Sequence, residues 1–417
     1  MKFRFRITVL YRAVIFIGVL YSINLKAQNP NYTHGDLIKY ESIGVFDKAK
    51  LAKIENEELA SFLTGSPMPF ENFKGRFSEP ANNITLYKLT YQTCIPEKGN
   101  KPTVATGLVA IPDQSKSVMP MISYQHGTVF GKKEVPSYID ESMETKLMLA
   151  QYGGQGYIVI GADYIGMGDS KEPNSYFAVK STEQACMDMY KAAIQFLQKK
   201  QIGVSHFFTV GWSQGGYNNM VFLRALERAG ISVTASATAS APVDLAFFIT
   251  RGLTNPRPND AVYSPACISN MLLAYENYYG MSKLADSTIR PEYLAMAKDF
   301  YNFKLGFMDY LKQSTGRVTE FVSPRFIEQL KAGNSSFLKQ LNDAEAYRWV
   351  SSTPLRAYYG MKDEGVPEYL ARLAVDYQTL LGKKNGAAVN AGENADHRAT
   401  YVYAAIDIKP WFDSFIK

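Results

Sequence analysis

One stretch near the middle of the chain restricts the choice of fold more than any other: Gly211-Trp212-Ser213-Gln214-Gly215-Gly216. The run before it, residues 206–210, is aromatic and β-branched, as a buried strand requires. The run after it, residues 217–229, carries apolar side chains at helical spacing and ends at Gly230, where a helix C-terminal glycine belongs. The sequence therefore predicts a sharp strand–turn–helix unit with a serine at the turn.

The spacing Gly-x-Ser-x-Gly explains how such a turn can form. A Cβ at Gly211 or Gly215 would collide with the neighbouring strand and helix, and Ser213 would hold its hydroxyl in open space on a strained backbone. The following helix would aim its free N–H groups and positive dipole end at that hydroxyl, with the Gln214 N–H facing a negatively charged oxygen. This context favours a nucleophilic serine over a chance glycine-bearing turn.

Strands and helices alternate along most of the chain. Continuous apolar runs at 120–125 and 157–162 predict strands of a parallel sheet buried on both faces, preceded by an antiparallel hairpin at 84–111. The alternation stops at residue 243 and resumes at 355, and the residues between read as helices and loops. We therefore predict an α/β fold with a mostly parallel central sheet flanked by helices. Its core would comprise residues 28–242 and 353–417, with a helical cap inserted at 243–352.

Two local expectations concern the flanks of the core. Residues 29–82 read as polar loops with one helix near 49–63, packed outside the sheet. Ser181 and Gln184 have the spacing of a capping box, which predicts the start of a helix that reaches about Lys200.

The first 27 residues have the form of a secretory signal peptide. Four basic residues among the first twelve precede an apolar run at 13–21, and Leu25-Lys26-Ala27 resembles a cleavage site before Gln28. The apolar run is short for a bilayer span, which disfavours an uncleaved anchor. We expect a periplasmic or secreted protein without an integral membrane span once the signal is removed.

Composition excludes several classes of function. The net charge of +6 is small for 417 residues and arises partly from the N-terminal basic cluster, so nucleic acid is not an expected partner. Cys186 falls in a helical pattern and should be core, whereas Cys94 and Cys267 could pair, which the sequence does not decide. The cysteines lack metal-like spacing and the four histidines are isolated, so we expect no metal site.

Serine is a strong nucleophile only when a base takes its proton and a third group orients that base. His397 follows the last predicted strand and is our choice of base. His126 ends a strand at the same sheet edge as the serine and is the competing choice. His34 lies far upstream, and His206 lies at the opposite end of the strand that leads to Ser213.

The acid is expected after the strand that follows the cap. Asp363 lies there, after a strand, a glycine and a short loop, and before a helix. Glu364 and Asp396 are the alternatives, and Asp363 could instead cap the helix that begins near Pro367. The chain order of nucleophile, acid and base is the one typical of a nucleophile elbow on an α/β sheet.

The segment His126-Gly127-Thr128 fits a loop that completes an oxyanion hole. A backbone N–H of Gly127 or Thr128 would join that of Gln214, with His126 bracing the loop. The side chains beside these positions are expected to contact the substrate: Tyr164, Trp212 and His126.

Four motifs together resemble one known family. They are residues 124–128, 162–170, 211–216 and 359–367, within a region from about residue 35 to the C-terminus. The chain resembles the α/β-hydrolase superfamily and, within it, the secretory-lipase-like serine esterases of the lipase A type. The resemblance implies a helical cap over the acyl site and no cofactor. The cap sequence itself has no motif of that family, so acyl preference stays open.

These observations predict an exported serine hydrolase that cleaves carboxylic esters through an acyl-enzyme. The expected partner is a small-molecule or lipid ester. A serine peptidase on the same fold is the alternative, because one scaffold serves both reactions. An inactive binding protein is a third interpretation, against which the complete set of catalytic residues argues.

Overall fold

The structure is a computed structural model that describes residues 34–333 and 335–416. The predicted signal peptide, residues 1–27, lies outside the described residues.

A nine-stranded sheet, counted over these described ranges, forms the centre of the fold. Its strands in chain order are β1 (Leu37–Phe46), β2 (Ile84–Ile95), β3 (Lys101–Pro112), β4 (Val118–Gln125), β5 (Ile158–Ala162), β6 (Gly203–Trp212), β7 (Ala235–Ala239), β8 (Leu355–Tyr359) and β9 (Gly386–Asn390). Their spatial order is β1-β2-β3-β5-β4-β6-β7-β8-β9. The pairs β1-β2, β2-β3 and β3-β5 are antiparallel, and the other five pairs of neighbouring strands are parallel. The predicted mostly parallel sheet and its entry hairpin are confirmed.

Helices flank this sheet. They are α1 (Lys48–Lys53), α2 (Leu59–Phe62), α3 (Met143–Met148), α4 (Val179–Lys199), α5 (Gln214–Arg228), α6 (Leu245–Thr254), α7 (Ser264–Tyr279), α8 (Leu284–Thr288), α9 (Pro291–Tyr301), α10 (Phe307–Gln313), α11 (Val318–Phe321), α12 (Pro324–Lys331), α13 (Ser336–Asn342), α14 (Glu368–Ala371), α15 (Leu373–Leu380) and α16 (His397–Ile416). None of the helices in the described part of the chain is both long and apolar enough to cross a bilayer.

Alternation of side chains along the strands builds a core on each face of the sheet. Phe208 packs on the face covered by α16, whereas its neighbour Phe207 packs on the face covered by α4 and α5. Because successive strand residues point to opposite faces, strands buried on both sides read as continuous apolar runs. This is why the central strands were recognisable in the sequence.

The helices α6 to α13 lie between β7 and β8, and we refer to them as the inserted helices. They fall within the region 243–352 that we predicted as a cap. Their buried side chains form one apolar cluster with residues of the core, including Tyr217 and Met220 of α5 and Ala357 of β8.

Two local expectations were wrong. The strand β1 lies in a region predicted as polar loops, and most of its residues are exposed because it occupies the edge of the sheet. Helix α4 begins at Val179, so Ser181 lies inside it and does not cap it. The Ser181 N–H and hydroxyl donate instead to the carboxylate of Glu97, at 3.0 and 2.6 Å.

Candidate active site

Ser213 lies on the sharp turn between β6 and α5 that the sequence predicts. Its backbone has φ 57° and ψ −123°, a strained conformation for a residue with a side chain. An ideal Cβ on Gly211 would lie 2.0 Å from the Gly215 carbonyl oxygen, and one on Gly215 would lie 1.9 Å from that of Gln125. Both glycines are therefore required by close backbone approach.

Strand register brings the candidate residues to one edge of the sheet. Gln125, the last residue of β4, pairs with Gly211, and Ala239 of β7 pairs with Trp212 on one side and Tyr358 on the other. Because parallel strands end at the same edge, the loops after β4, β6 and β8 meet there. These loops carry residues 126–128, Ser213 and the candidate acid.

His397 and Asp363 form a direct buried pair. The His397 Nδ1 lies 2.8 Å from the Asp363 Oδ1, and their residues are 5 % and 1 % exposed. The same oxygen accepts the N–H groups of Gly365 at 2.9 Å and Val366 at 2.7 Å, which fixes the carboxylate. An imidazole that donates from Nδ1 to this carboxylate has a free lone pair on Nε2, as a general base requires.

The alternative acids bind backbone groups. Glu364 accepts the backbone N–H of His397 at 3.1 Å, and Asp396 accepts that of Ala399 at 2.8 Å. His397 is the first residue of α16, whereas the sequence predicted that it would lie in the loop just before this helix. The interpretation of Asp363 as a helix cap is also wrong, because α14 begins at Glu368 with Pro367 at its N-cap.

Opposing influences act on the pKa of His397. Burial lowers it, but the charge and hydrogen bond of Asp363, with the charges of Glu364 and Asp396, outweigh burial and raise it above its usual value. A negative partner favours the charged imidazolium over the neutral ring. The same arrangement would stabilise the cation formed after proton transfer from a serine.

His126, the competing base, is held by the backbone. Its Nδ1 lies 2.8 Å from the Gly127 carbonyl and its Nε2 lies 3.3 Å from that of Asp163, while its ring stacks on Tyr164 at 4.2 Å. Burial lowers the pKa of this imidazole to about 4. A neutral imidazole has one N–H to donate, so His126 hydrogen-bonds to one of these two carbonyls, in the loop after β4 or the loop after β5.

A cavity of about 340 Å³ opens beside the serine. Ser213, Gln214, Thr128, Trp212 and His397 all line it. Most of the remaining wall is apolar or aromatic and comes in part from the inserted helices: Phe62, Phe130, Tyr176, Phe177, Phe248, Leu253, Tyr263, Ile268, Met271, Phe307 and Val318. The predicted nucleophile and base thus line one largely apolar cavity.

Only one of the three side chains predicted to contact the substrate lines the cavity. Trp212 lines the cavity and packs against the His397 ring, with centroids 4.9 Å apart. His126 and Tyr164 are 1 % and 3 % exposed and are not among the described residues of the cavity wall. The Tyr164 hydroxyl donates to the His126 carbonyl at 3.1 Å. We therefore correct the expectation for these two: they lie behind the cavity wall, where Tyr164 stacks on His126 and binds its backbone.

The predicted oxyanion donors also need a correction. The Gly127 N–H is already donated to the Glu144 carboxylate at 2.8 Å, so it is not available to a substrate. The Thr128 N–H has no hydrogen-bond partner among the residues described here. Gln214 is the first residue of α5, where a backbone N–H has no intrahelical acceptor. Of the predicted donors, the backbone N–H groups of Thr128 and Gln214 are the two without a partner among the described residues.

Sequence reasoning missed Glu144, a buried acid on the cavity wall. It also named no residue of α6 or of the loop between α6 and α7, although Arg251, Asp260 and Tyr263 line the cavity. Glu144 belongs to the short helix α3, 17 residues after Gly127, and no motif marks it. Only the packing of α3 against the loop after β4 brings its carboxylate to the Gly127 N–H.

The cysteines do not form a disulfide in the described structure. All three are free, which answers the question of pairing between Cys94 and Cys267. Cys186 is buried in α4, as expected. Cys267 lines the cavity, and burial raises the pKa of its thiol to about 11, so it is not a reactive thiolate.

No protein-family model matches the sequence, and no curated protein matches it. Solved structures do match. A provisionally assigned hydrolase from Legionella pneumophila aligns with a TM-score of 0.79 and 22% identity, over 91% of this chain and 98% of its own. The rice cell wall degrading esterase LipA from Xanthomonas oryzae aligns with a TM-score of 0.76 and 19% identity, over 92% and 98%.

Candida antarctica lipase A is a more distant match. It aligns with a TM-score of 0.63 and 15% identity, over 88% of this chain and 78% of its own. Likeness at these identities is likeness of fold, and it extends over nearly the whole described chain. The chain therefore has the α/β-hydrolase fold.

Proposed function

We propose that this protein is an exported serine hydrolase that cleaves carboxylic esters through an acyl-enzyme intermediate. The observation that carries the proposal is the 2.8 Å contact between His397 Nδ1 and Asp363 Oδ1, together with a cavity that both His397 and Ser213 line. Export rests on the sequence of residues 1–27 alone. The esterase and lipase among the structural matches support the reaction class.

In the proposed reaction, the Ser213 oxygen attacks the ester carbonyl carbon while His397 Nε2 takes the serine proton. Asp363 holds the imidazole in the tautomer that leaves Nε2 free and stabilises the imidazolium. The backbone N–H groups of Gln214 and Thr128 would bind the oxyanion. His397 then returns the proton to the departing alcohol, and a water molecule repeats the sequence to release the acid.

The substrate is proposed to be a small-molecule or lipid ester. The cavity of about 340 Å³ is largely apolar, which supports a substrate whose acyl group is buried during the reaction. Nothing in this reaction requires a cofactor or a nucleic acid partner. A screen of p-nitrophenyl esters of increasing chain length would define the acyl preference.

The test is the variant Ser213→Ala. We expect hydrolysis of p-nitrophenyl butyrate to fall by roughly 10⁴-fold or more, because the residues of a triad act as a unit. Covalent labelling by a fluorophosphonate should also be lost. The control is Ser205→Ala, which changes an exposed serine at the opposite end of the same strand. Undiminished hydrolysis by Ser213→Ala would exclude the proposal.

The same assay separates the alternatives. Faster turnover of aminoacyl amides than of acyl esters would favour a peptidase. A folded wild-type protein that neither hydrolyses esters nor reacts with the fluorophosphonate would favour a binding protein.

A further inference from the structure

Glu144 is the one buried acid on the cavity wall that the proposed reaction does not use, among the residues described. It lies in α3, is 8 % exposed and borders the same cavity as Ser213. A buried carboxylate is costly unless it is hydrogen-bonded. Its contacts therefore indicate what it does.

One oxygen of this carboxylate receives two donors. The Gly127 N–H donates to Glu144 Oε2 at 2.8 Å, and the Tyr124 hydroxyl donates to the same atom at 2.5 Å. The backbone of the glutamate is held as well, because the Tyr401 hydroxyl donates to the Glu144 carbonyl at 2.8 Å. Tyr124 belongs to β4 and Tyr401 to α16, so the sheet and the C-terminal helix both fix the carboxylate.

The contact with Gly127 determines how the following peptide lies. An ideal Cβ on Gly127 would lie 3.1 Å from Trp212 Cε3 and 3.2 Å from Glu144 Oε1, so this residue is confined between the two side chains. With its N–H bound on the Glu144 side, the next amide is that of Thr128, which has no partner among the described residues and whose residue lines the cavity. The Gly127 amide is thus bound within the protein, whereas the adjacent Thr128 amide has no partner among the described residues.

We propose that Glu144 is a positioning residue of the oxyanion hole, whose carboxylate binds the Gly127 N–H and thereby holds the Thr128 N–H toward the substrate oxygen. The inference rests on the proposed function, since it assigns a role within the same site. It also gives a role to the one buried acid of a largely apolar wall, among the residues described.

Several titratable groups face this carboxylate. Burial raises the pKa of Glu144 to about 7, against the hydrogen bonds of Tyr124 and Gly127 and the charge of His397, which lower it, while Glu134 raises it. Tyr401 lies nearby on α16. Both the ionised and the protonated acid retain an oxygen that can accept the Gly127 N–H. The hydrogen bond, and not the charge, is therefore the property to test.

The first test compares Glu144→Ala with Glu144→Gln. We expect Glu144→Ala to lower kcat by roughly tenfold to a hundredfold, somewhat less than the loss of a whole oxyanion donor. KM should change by less than about threefold, because the interaction serves the transition state. Glu144→Gln keeps an acceptor oxygen of the same shape, and we expect it to recover most of kcat. Reaction of Ser213 with the fluorophosphonate should follow the same order.

The matched control is Glu55→Ala, which removes another buried glutamate that does not line the cavity. Its kcat should match that of the wild type at a temperature where both are folded by circular dichroism. A folded Glu144→Ala with wild-type kcat would overturn the inference, and so would Glu144→Gln as impaired as Glu144→Ala. A wild-type protein without Ser213 labelling would instead contradict the proposed function.

A second variant covers the case in which Glu144→Ala does not fold. Tyr124→Phe removes one donor to the carboxylate and should lower kcat by about threefold to tenfold, the change that corresponds to one ordinary hydrogen bond. Unchanged kcat in folded Tyr124→Phe would contradict the inference.

Discussion

A histidine can act as a base only in its neutral form, and the surroundings of His397 decide at which pH that form prevails. The charges and hydrogen bond of the neighbouring carboxylates outweigh burial and raise the pKa of His397 above 6.5. A raised pKa keeps the imidazole protonated to a higher pH than usual. In the proposed reaction, the ring that activates the serine would therefore also limit activity in acid.

We therefore expect kcat/KM for ester hydrolysis to fall as the pH decreases through a midpoint above 6.5. Below this midpoint His397 carries a proton and cannot accept the one from Ser213. The measurement is a pH profile of kcat/KM in buffers of constant ionic strength. Asp363→Asn removes the main charge that raises the pKa, so its residual activity should show a lower midpoint. A wild-type midpoint at or below 6.5, or one unmoved in Asp363→Asn, would contradict this assignment.

At this scale the sequence predicted residues that follow strands better than residues that contact across elements. Ser213, Asp363 and His397 each come after a recognisable strand, and the structure brings the latter two into contact and places the first on the same cavity. The sequence could not predict which backbone N–H, that of Gly127 or that of Thr128, is free to bind a substrate oxygen. It depends on Glu144, whose position relative to the loop is set by helix packing.

At the scale of elements, burial separates what could be predicted from what could not. Central strands such as β5 and β6 are buried on both faces, and their apolar runs are visible in the sequence. The edge strand β1 has mostly exposed residues and pairs on one side only in the described structure, so its sequence lacks that signal. The start of α4 was misplaced because a distant carboxylate, that of Glu97, took the hydrogen bonds that a capping box would use.

An arginine links the inserted helices to the loop that carries the candidate acid. Arg257, between α6 and α7, donates to the Asp363 carbonyl at 2.9 Å. Its Nε pairs with Asp260 at 2.9 Å, and Asp260 also pairs with Arg251 at 2.8 Å. The backbone N–H of Ala261 donates to the Glu364 carbonyl at 3.0 Å. The loop between α6 and α7 therefore fixes the acid loop.

We expect Arg257→Ala to lower kcat by about threefold to tenfold, since it removes hydrogen bonds that hold the acid loop without touching the substrate. Arg257→Lys should recover little, because an ammonium cannot reproduce the planar set of donors. The control is Arg290→Ala, whose side chain bonds the Val322 carbonyl within the inserted helices. Steady-state kinetics of the three variants check this, and equal kcat for Arg257→Ala and Arg290→Ala would refute it.

At the scale of the whole molecule, the inserted helices are not packed as a separate unit. Side chains of α5, β8 and the inserted helices share one buried apolar cluster. Polar contacts cross the same boundary: the Tyr217 hydroxyl donates to the Ala344 carbonyl at 2.6 Å, and Trp349 Nε1 donates to Glu227 at 2.9 Å. Removal of the inserted helices would expose this apolar surface of the core, which couples their stability to that of the sheet.

The three tryptophans allow this coupling to be measured. Trp349 follows the inserted helices, whereas Trp411 lies in α16 on the core. We expect Trp212→Phe/Trp411→Phe, which keeps Trp349, to give the same unfolding midpoint in urea by fluorescence and by far-UV circular dichroism. Trp212→Phe/Trp349→Phe, which keeps Trp411, should also give coincident midpoints, because one shared core unfolds as one cooperative unit. If the Trp349 signal changed at a lower urea concentration than the circular dichroism of the same variant, the inserted helices would unfold on their own. The shared cluster would then contribute little to holding them on the core.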